Sequence, residues 1–233
     1  MKITVLGCGS SGGTPLVGAT GWGPCDPADR RNRRRRPSIL VKQGDTTLLV
    51  DTSPDLREQM IDAGVNEIDA VLYTHAHADH VHGIDDIRSF NFRVSGPIDA
   101  WGSAATLEIL QNRFAYVFQP YPTPRPRFFR PCLTPHVIDG PFSIGDIAIT
   151  PFEQAHGRMP STGFRFGKFA YSTDVHTLSD AAFDILAGID VWIVDCLSET
   201  PHPTHSHLEQ TLGWIDRVGP GQAYLTHLSH TQD

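Results

Sequence analysis

The sequence predicts an α/β fold in which two β-sheets lie face to face with helices outside. Two features of the pattern carry this reading: β-rich runs come first, and helix-like and strand-like runs alternate afterwards. A third feature supports it, because the polar residues able to do chemistry fall just after apolar β runs. At 233 residues the chain is long enough for one well-buried core. It reads as a single domain over 1–233, without repeat, low-complexity tract or linker.

The elements follow in order. "KITVLG" reads as a strand entering a glycine-rich turn, "GCGSSGGTP", and 16–37 as a long loop holding "RRNRRRRP". "SILVKQGDTTLLVDT" reads as a hairpin about Gly44 and Asp45. Ser53, Pro54 and Asp55 mark a helix start, with a capping hydroxyl and a first-turn proline, and that helix should end near Gly64. "IDAVLYT" is a buried strand, followed by a short helix, the strand "PIDAWG" and a helix over 103–114 capped by Ser103. The five prolines of "FQPYPTPRPRFFRP" remove donors and fix φ, so this is a surface loop. Strands "IAITPFE", "TGFRFG" and "KFAYST" follow, the last two joined at Gly167 and Lys168. A helix after Ser179, the apolar strand "DVWIVDC", a helix over 207–217 and the strand "QAYLTH" complete the chain.

Composition excludes several classes. The formal charge of -7 disfavours nucleic-acid affinity, and no stable nucleic-acid binding is expected. Cys8, Cys25, Cys132 and Cys196 are scattered with no CxxC pair, which suits reduced thiols rather than a disulfide framework. The N-terminus reads as a first strand, not a signal peptide, and no apolar run approaches membrane-spanning length. A soluble cytoplasmic protein without a membrane partner is expected.

The stretch "YTHAHADHVHG" at 73–83 sets His75, His77, Asp79 and His80 directly after an apolar run. Buried groups of this kind are costly unless something pairs them, and imidazole and carboxylate are the usual ligands of zinc and similar ions. His75 and His77 are two apart on an extended turn and can point one way. Asp79 and His80 follow at once and would serve a neighbouring position, which suits two ions side by side. Further ligands belong at distant strand ends, where His156, Asp174 and His227 each follow a β run. A carboxylate such as Asp174 can bridge two cations about 3.5–4 Å apart.

"THAHADH" after a strand resembles the signature of the metallo-β-lactamase fold superfamily, and the likeness covers nearly the whole chain. It implies an αββα sandwich of two mixed β-sheets flanked by helices. It also implies two divalent ions, Zn²⁺ or Mn²⁺: His75, His77 and His156 on one, Asp79, His80 and His227 on the other, with Asp174 between. "LGCGSSGGTP", the arginine run before "SILV", "VDTSPDLREQM", "THLSH" and "HPTHSHLEQTLGWI" resemble the phosphoribosyl cyclic phosphate phosphodiesterase branch. A dinuclear phosphodiesterase of small cyclic phosphates or nucleotides is therefore expected, with Asp79 and His205 as candidate catalytic residues. His205 would clamp a phosphate oxygen or protonate the leaving group, with His207 as the fallback. The alternatives are a tRNA 3′-processing-like nuclease, a thioesterase, or a non-catalytic metal- or nucleotide-binding protein.

Two departures from that branch stand out. Its relatives carry a C-x-C-x-x-C stretch in the first long loop that, with a later histidine, makes a structural zinc site. Here only Cys25 of the trio remains, with His230 in the histidine's place, so no structural zinc is expected. The chain also stops at Asp233 where relatives continue through another strand, which is compatible with truncation. The run "RRNRRRRP", with Arg33–Arg36, looks like a nucleic-acid or targeting patch. In this acidic chain it reads instead as a solvated loop paired with the excess Asp and Glu, with one or two arginines able to border the phosphate pocket. Arg125, Arg127, Arg130, Phe128 and Phe129 could stack on a base, meet a second subunit, or simply pack the loop. The oligomeric state stays open, a homodimer included.

Overall fold

A computed structural model describes residues 1–120 and 130–233, and the chain divides into two compact units. The first unit comprises Met1–Leu6, Ser38–Asp139 and Ile144–Asp146; the second comprises Gly7–Pro37, Gly140–Ser143 and Ile147–Asp233. Each is built on one six-stranded mixed sheet with helices.

The first sheet runs in sequence order through β1 (Lys2–Gly7), β2 (Ser38–Gln43), β3 (Thr46–Val50), β4 (Ala70–Leu72), β5 (Ile98–Gly102) and β6 (Leu133–Val137). β2 and β3 form the antiparallel hairpin about Gly44 and Asp45, whereas β3, β4, β5 and β6 pair in parallel. The helices are α1 (Leu56–Ala63), α2 (Ala78–Val81), α3 (Arg88–Val94) and α4 (Ala104–Arg113). Leu40, Leu49, Val71 and Ala100 from the strands pack with Leu56, Met60, Val81, Phe90, Leu107 and Leu110 from the helices. Burying each large side chain of this kind contributes about 1.5–3 kcal/mol.

Serine caps behave as the sequence predicts in α4, where Ser103 accepts from the Thr106 N–H. At α1 the arrangement differs. Asp55 takes the N-cap position without a side-chain bond, while the Ser53 hydroxyl accepts from the Asp55 N–H and donates to Gln59. The serine thus orders the entry to the helix rather than its first turn. Gly64 ends α1 with φ 63, a conformation for which glycine carries no Cβ penalty.

The second sheet has the order β12, β11, β10, β9, β8, β7. These are β7 (Phe142–Ile144), β8 (Ile147–Gln154), β9 (Ser161–Phe166), β10 (Phe169–Ser172), β11 (Val191–Asp195) and β12 (Gln222–Thr226), with α5 (Asp180–Leu186) and α6 (Leu208–Val218). β8, β9 and β10 are antiparallel neighbours, the last two joined at Gly167 and Lys168; β10, β11 and β12 run parallel. Ala170, Trp192 and Val194 pack with Val175, Leu178, Phe183 and Leu186. Buried Trp192 keeps its indole N–H satisfied on the Ser172 hydroxyl at 3.0 Å. Ser179 caps α5 through the Ala182 N–H.

β6 and β7 were not anticipated. Pro135 lies within β6 and argues against a strand, yet β6 is the edge of its sheet, where a missing N–H is tolerated. β7 is short and forms the edge of the other sheet. No helix among the described residues is long and apolar enough to cross a membrane.

Candidate metal centre

Backbone strain collects at strand ends. Four described non-glycine residues have positive φ: Asp51 (63°), Ser95 (63°), Asp174 (54°) and His227 (60°). Three of these follow the ends of β3, β10 and β12 and carry an imidazole or a carboxylate. A left-handed non-glycine residue costs on the order of 1–3 kcal/mol and persists where its surroundings hold it.

In the first unit, β4 runs into Thr74 and His75, His77 precedes α2, and α2 itself carries Asp79 and His80. Asp51 organises this group from beneath. Its Oδ1 accepts from the Thr74 N–H at 2.8 Å, and its Oδ2 accepts from the Thr74 hydroxyl at 2.8 Å and from His80 Nδ1 at 2.7 Å. Because the Thr74 hydroxyl proton goes to Asp51, His75 Nδ1, 3.0 Å from that oxygen, is the donor there. Both rings therefore hold their proton at Nδ1 and keep a lone pair at Nε2. Burial pushes the Asp51 carboxyl up from its usual range, against the pull of His80 and Thr74. Ring centroids lie 4.5 Å apart for His75 and His77 and 4.3 Å apart for His75 and His80.

In the second unit, His156 follows β8, Asp174 follows β10, and His227 follows β12. His156 Nδ1 donates to the Thr204 carbonyl at 2.7 Å, and His205 Nδ1 donates to Asp195 Oδ2 at 2.9 Å, so each ring has its lone pair at Nε2. Asp174 Oδ1 accepts from the Thr173 hydroxyl at 2.6 Å. Its Oδ2 is ringed by three imidazole nitrogens: Nε2 of His227 at 3.3 Å, of His156 at 3.7 Å and of His205 at 3.8 Å. The His205 ring stacks on His227 at 4.5 Å and meets His156 edge-on at 4.6 Å. Burial, with the neighbouring His205 as a lesser cause, pushes the His202 imidazole down.

These donor sets fit a divalent cation. The His80 Nε2 lone pair lies 3.3 Å from an Asp79 carboxylate oxygen, and that of His156 lies 3.7 Å from Asp174 Oδ2. Lone pairs held this close repel unless positive charge lies between them, and one proton cannot serve several partners at these separations. Donors about 2.0–2.2 Å from one tetrahedral ion lie about 3.3–3.6 Å apart, close to the spacings seen. Asp195, His205 and His227 form a further group whose ligand atoms lie within 4.8 Å of one another.

The remaining sequence-predicted residues have other surroundings. His207 sits at the N-cap of α6 without a side-chain cap bond. Cys25 donates its thiol to the backbone carbonyls of Gln232 at 2.9 Å and His230 at 3.3 Å. Arg31 pairs with Asp29, as the solvated-loop reading expects. Arg34 departs from it: its buried guanidinium donates to the Ser229 carbonyl at 3.1 Å and to Asn32 at 2.8 Å. The glycine-rich stretch makes a tight turn, with the Gly13 N–H on the Ser10 carbonyl. Arg130 donates to the carbonyls of Gln119 and Pro120, while Arg125, Arg127, Phe128 and Phe129 lie outside the described residues. Sequence reasoning passed over Asp51 and Asp195. Each ends an apolar strand just as Asp174 does, and that position was the available signal.

Residues 46–228 match the family described as Beta-lactamase superfamily domain. The structure resembles a diphosphatase from the PhnP family, with a TM-score of 0.89 and 33% identity over 99% of this chain and 87% of that one. The chain is 32% identical over 232 residues to an octanoyltransferase of Porphyromonas gingivalis, covering 99% of this chain and 46% of that protein. It is 30% identical over 137 residues to a ribonuclease Z of Bradyrhizobium sp., covering 57% of this chain and 44% of that one. The chain thus spans about half the length of the curated relatives it matches.

Proposed function

The chain belongs to the beta-lactamase superfamily, whose fold of two mixed sheets with flanking helices it has, and we propose that it is a dinuclear metal-dependent phosphodiesterase. Its substrates on this reading are small cyclic phosphates or nucleotide phosphodiesters, hydrolysed in the cytoplasm, and residues 1–233 act as one hydrolase domain. His75, His77 and His156 would hold one ion and Asp79, His80 and His227 the other, with Asp174 shared; Zn²⁺ and Mn²⁺ both suit such nitrogen and oxygen donors. The observation that carries the reading is the single Asp174 oxygen ringed by three imidazole nitrogens at 3.3–3.8 Å. Likeness to a diphosphatase and to ribonucleases Z supports hydrolysis at phosphorus, and likeness to the ribonucleases supports a phosphodiester as the substrate class. The octanoyltransferase, and with it the activity in its name, belongs to a chain about twice as long as this one.

When bound, two divalent ions supply charge for the non-bridging phosphate oxygens and lower the pKa of water. The chain's own residues do the rest. Asp79 orients the attacking water and accepts its proton at a carboxylate oxygen. His205, held at Nδ1 by Asp195, takes up a proton from solvent at Nε2 during turnover and passes it to the departing oxygen.

Turnover of bis(p-nitrophenyl) phosphate by the protein supplied with Mn²⁺ or Zn²⁺ tests this. A screen of 2′,3′- and 3′,5′-cyclic nucleotides and ribosyl 1,2-cyclic phosphate then assigns the substrate. Bound metal with no nitrophenol released under either ion would exclude the hydrolase.

A further inference from the structure

We propose that His202 is a substrate-binding residue, a neutral imidazole that donates its Nε2–H to an anionic phosphoryl oxygen. The ligand class rests on the phosphodiester reading; the identity and protonation of the donor come from the local geometry.

His202 Nδ1 accepts a hydrogen bond from the backbone N–H of Thr204 at 3.3 Å and lies 3.3 Å from the Thr204 hydroxyl. A nitrogen that accepts from a backbone amide carries the lone pair, so the proton of the neutral ring sits on Nε2. Pro201 and Pro203 flank the residue and fix φ on either side of it.

Thr204 ties this ring to the metal centre. Its N–H holds His202, while its carbonyl accepts from His156 Nδ1 at 2.7 Å. The two histidines are thus set in register through one residue. Thr204 also packs closely on Gly157, where a Cβ would come within 2.7 Å of its methyl carbon. The His202 ring lies 5.3 Å from that of His205, which in turn stacks on His227. His202 is half-buried, whereas His205, His227, His156 and Asp174 are buried, so it stands one ring further out, where a substrate would enter. A neutral N–H there binds phosphate oxygen without adding charge that would repel the ions.

A purely structural role would need only the Thr204 bond, and two substitutions separate the alternatives. His202→Asn keeps an acceptor near the Nδ1 position and removes the outer donor. His202→Gln places an amide N–H near the Nε2 position. Binding of inorganic phosphate to the Mn²⁺-loaded proteins is measured by calorimetry, with thermal unfolding as the check on folding. His202→Asn should bind phosphate about 10- to 100-fold more weakly, the loss of a hydrogen bond to a charged group, and His202→Gln should stay near the parent. Parent-like binding by His202→Asn, or no phosphate binding by the parent, overturns the inference. Turnover of bis(p-nitrophenyl) phosphate by the same proteins tests the hydrolase reading separately. A parent that binds phosphate through His202 but releases no nitrophenol sinks that reading and leaves this inference standing. A parent that turns over with a KM and phosphate affinity indifferent to His202→Asn sinks this inference alone.

Discussion

Asp195 Oδ2 accepts two hydrogen bonds at 2.9 Å, one from His205 Nδ1 and one from the backbone N–H of Val175. The carboxylate thereby fixes the His205 ring with Nε2 toward Asp174, and it stabilises the ring when charged. In Asp195→Asn the amide oxygen can replace Oδ2, but the negative charge is gone. The amide nitrogen would also take the place of Oδ1, a buried atom without a hydrogen-bond partner among the described residues. The variant should lose about a hundredfold or more in kcat for phosphodiesters with poor leaving groups while keeping its metal content. Steady-state kinetics with elemental analysis checks this, and metal loss would make Asp195 part of the ion-holding set instead.

His205→Ala should keep the fold and both metals yet lose about 10²–10⁴-fold in turnover of substrates with poor leaving groups. Nitrophenolate needs little protonation, so nitrophenyl esters should suffer less if His205 is an acid. Equal losses on both kinds of substrate would identify a phosphate clamp. Turnover at the parent rate on every substrate would move the role to His207.

Asp174→Asn isolates the shared carboxylate. Asparagine tolerates the left-handed backbone at φ 54, so the turn after β10 should survive. The parent should hold two metals per chain under saturating metal, and the variant one at most. A single equivalent in the parent would contradict the dinuclear assignment.

The strand-end positions of His75, His156, Asp174 and His227 were legible because each comes just after an apolar β run, and a polar group there needs a reason. The caps of α4 and α5 were legible for a similar reason, since Ser103 and Ser179 precede helical runs directly. Asp51 and Asp195 hid because their role is relational: Asp51 serves His80 and Asp195 serves His205, pairings made only by folding. Arg34 was misread because a basic run looks solvated until one guanidinium is found buried on a backbone carbonyl. β6 was obscured by Pro135, whose cost depends on whether the strand lies at an edge.

Cys25→Ser should leave the metal content unchanged. The thiol is buried and donates to the carbonyls of Gln232 and His230, bonds that a hydroxyl can also make. Loss of one zinc on this substitution would restore a structural site through Cys25, with His230 as its obvious second ligand.

Gly83 tests how tightly the turn after α2 is built. Its N–H donates to the Thr52 carbonyl at 2.9 Å, and the Thr52 N–H donates to the His80 carbonyl at 2.8 Å. A Cβ on Gly83 would fall 2.0 Å from the Ser53 carbonyl oxygen and 2.9 Å from Leu56 Cβ, so backbone has to move. Gly64 offers the contrast: it has φ 63 but nothing within 4 Å of its Cβ position. Gly64→Ala should therefore cost about 1 kcal/mol from backbone conformation alone. Gly83→Ala should cost about 1–3 kcal/mol through overpacking, and should also weaken metal binding by shifting the segment that carries Asp79 and His80. Urea unfolding of the two variants, with metal titration of each, measures both effects. Equal stabilities and parent-like metal affinity in Gly83→Ala would mean that the loop after α2 yields freely and does not hold His80 in place.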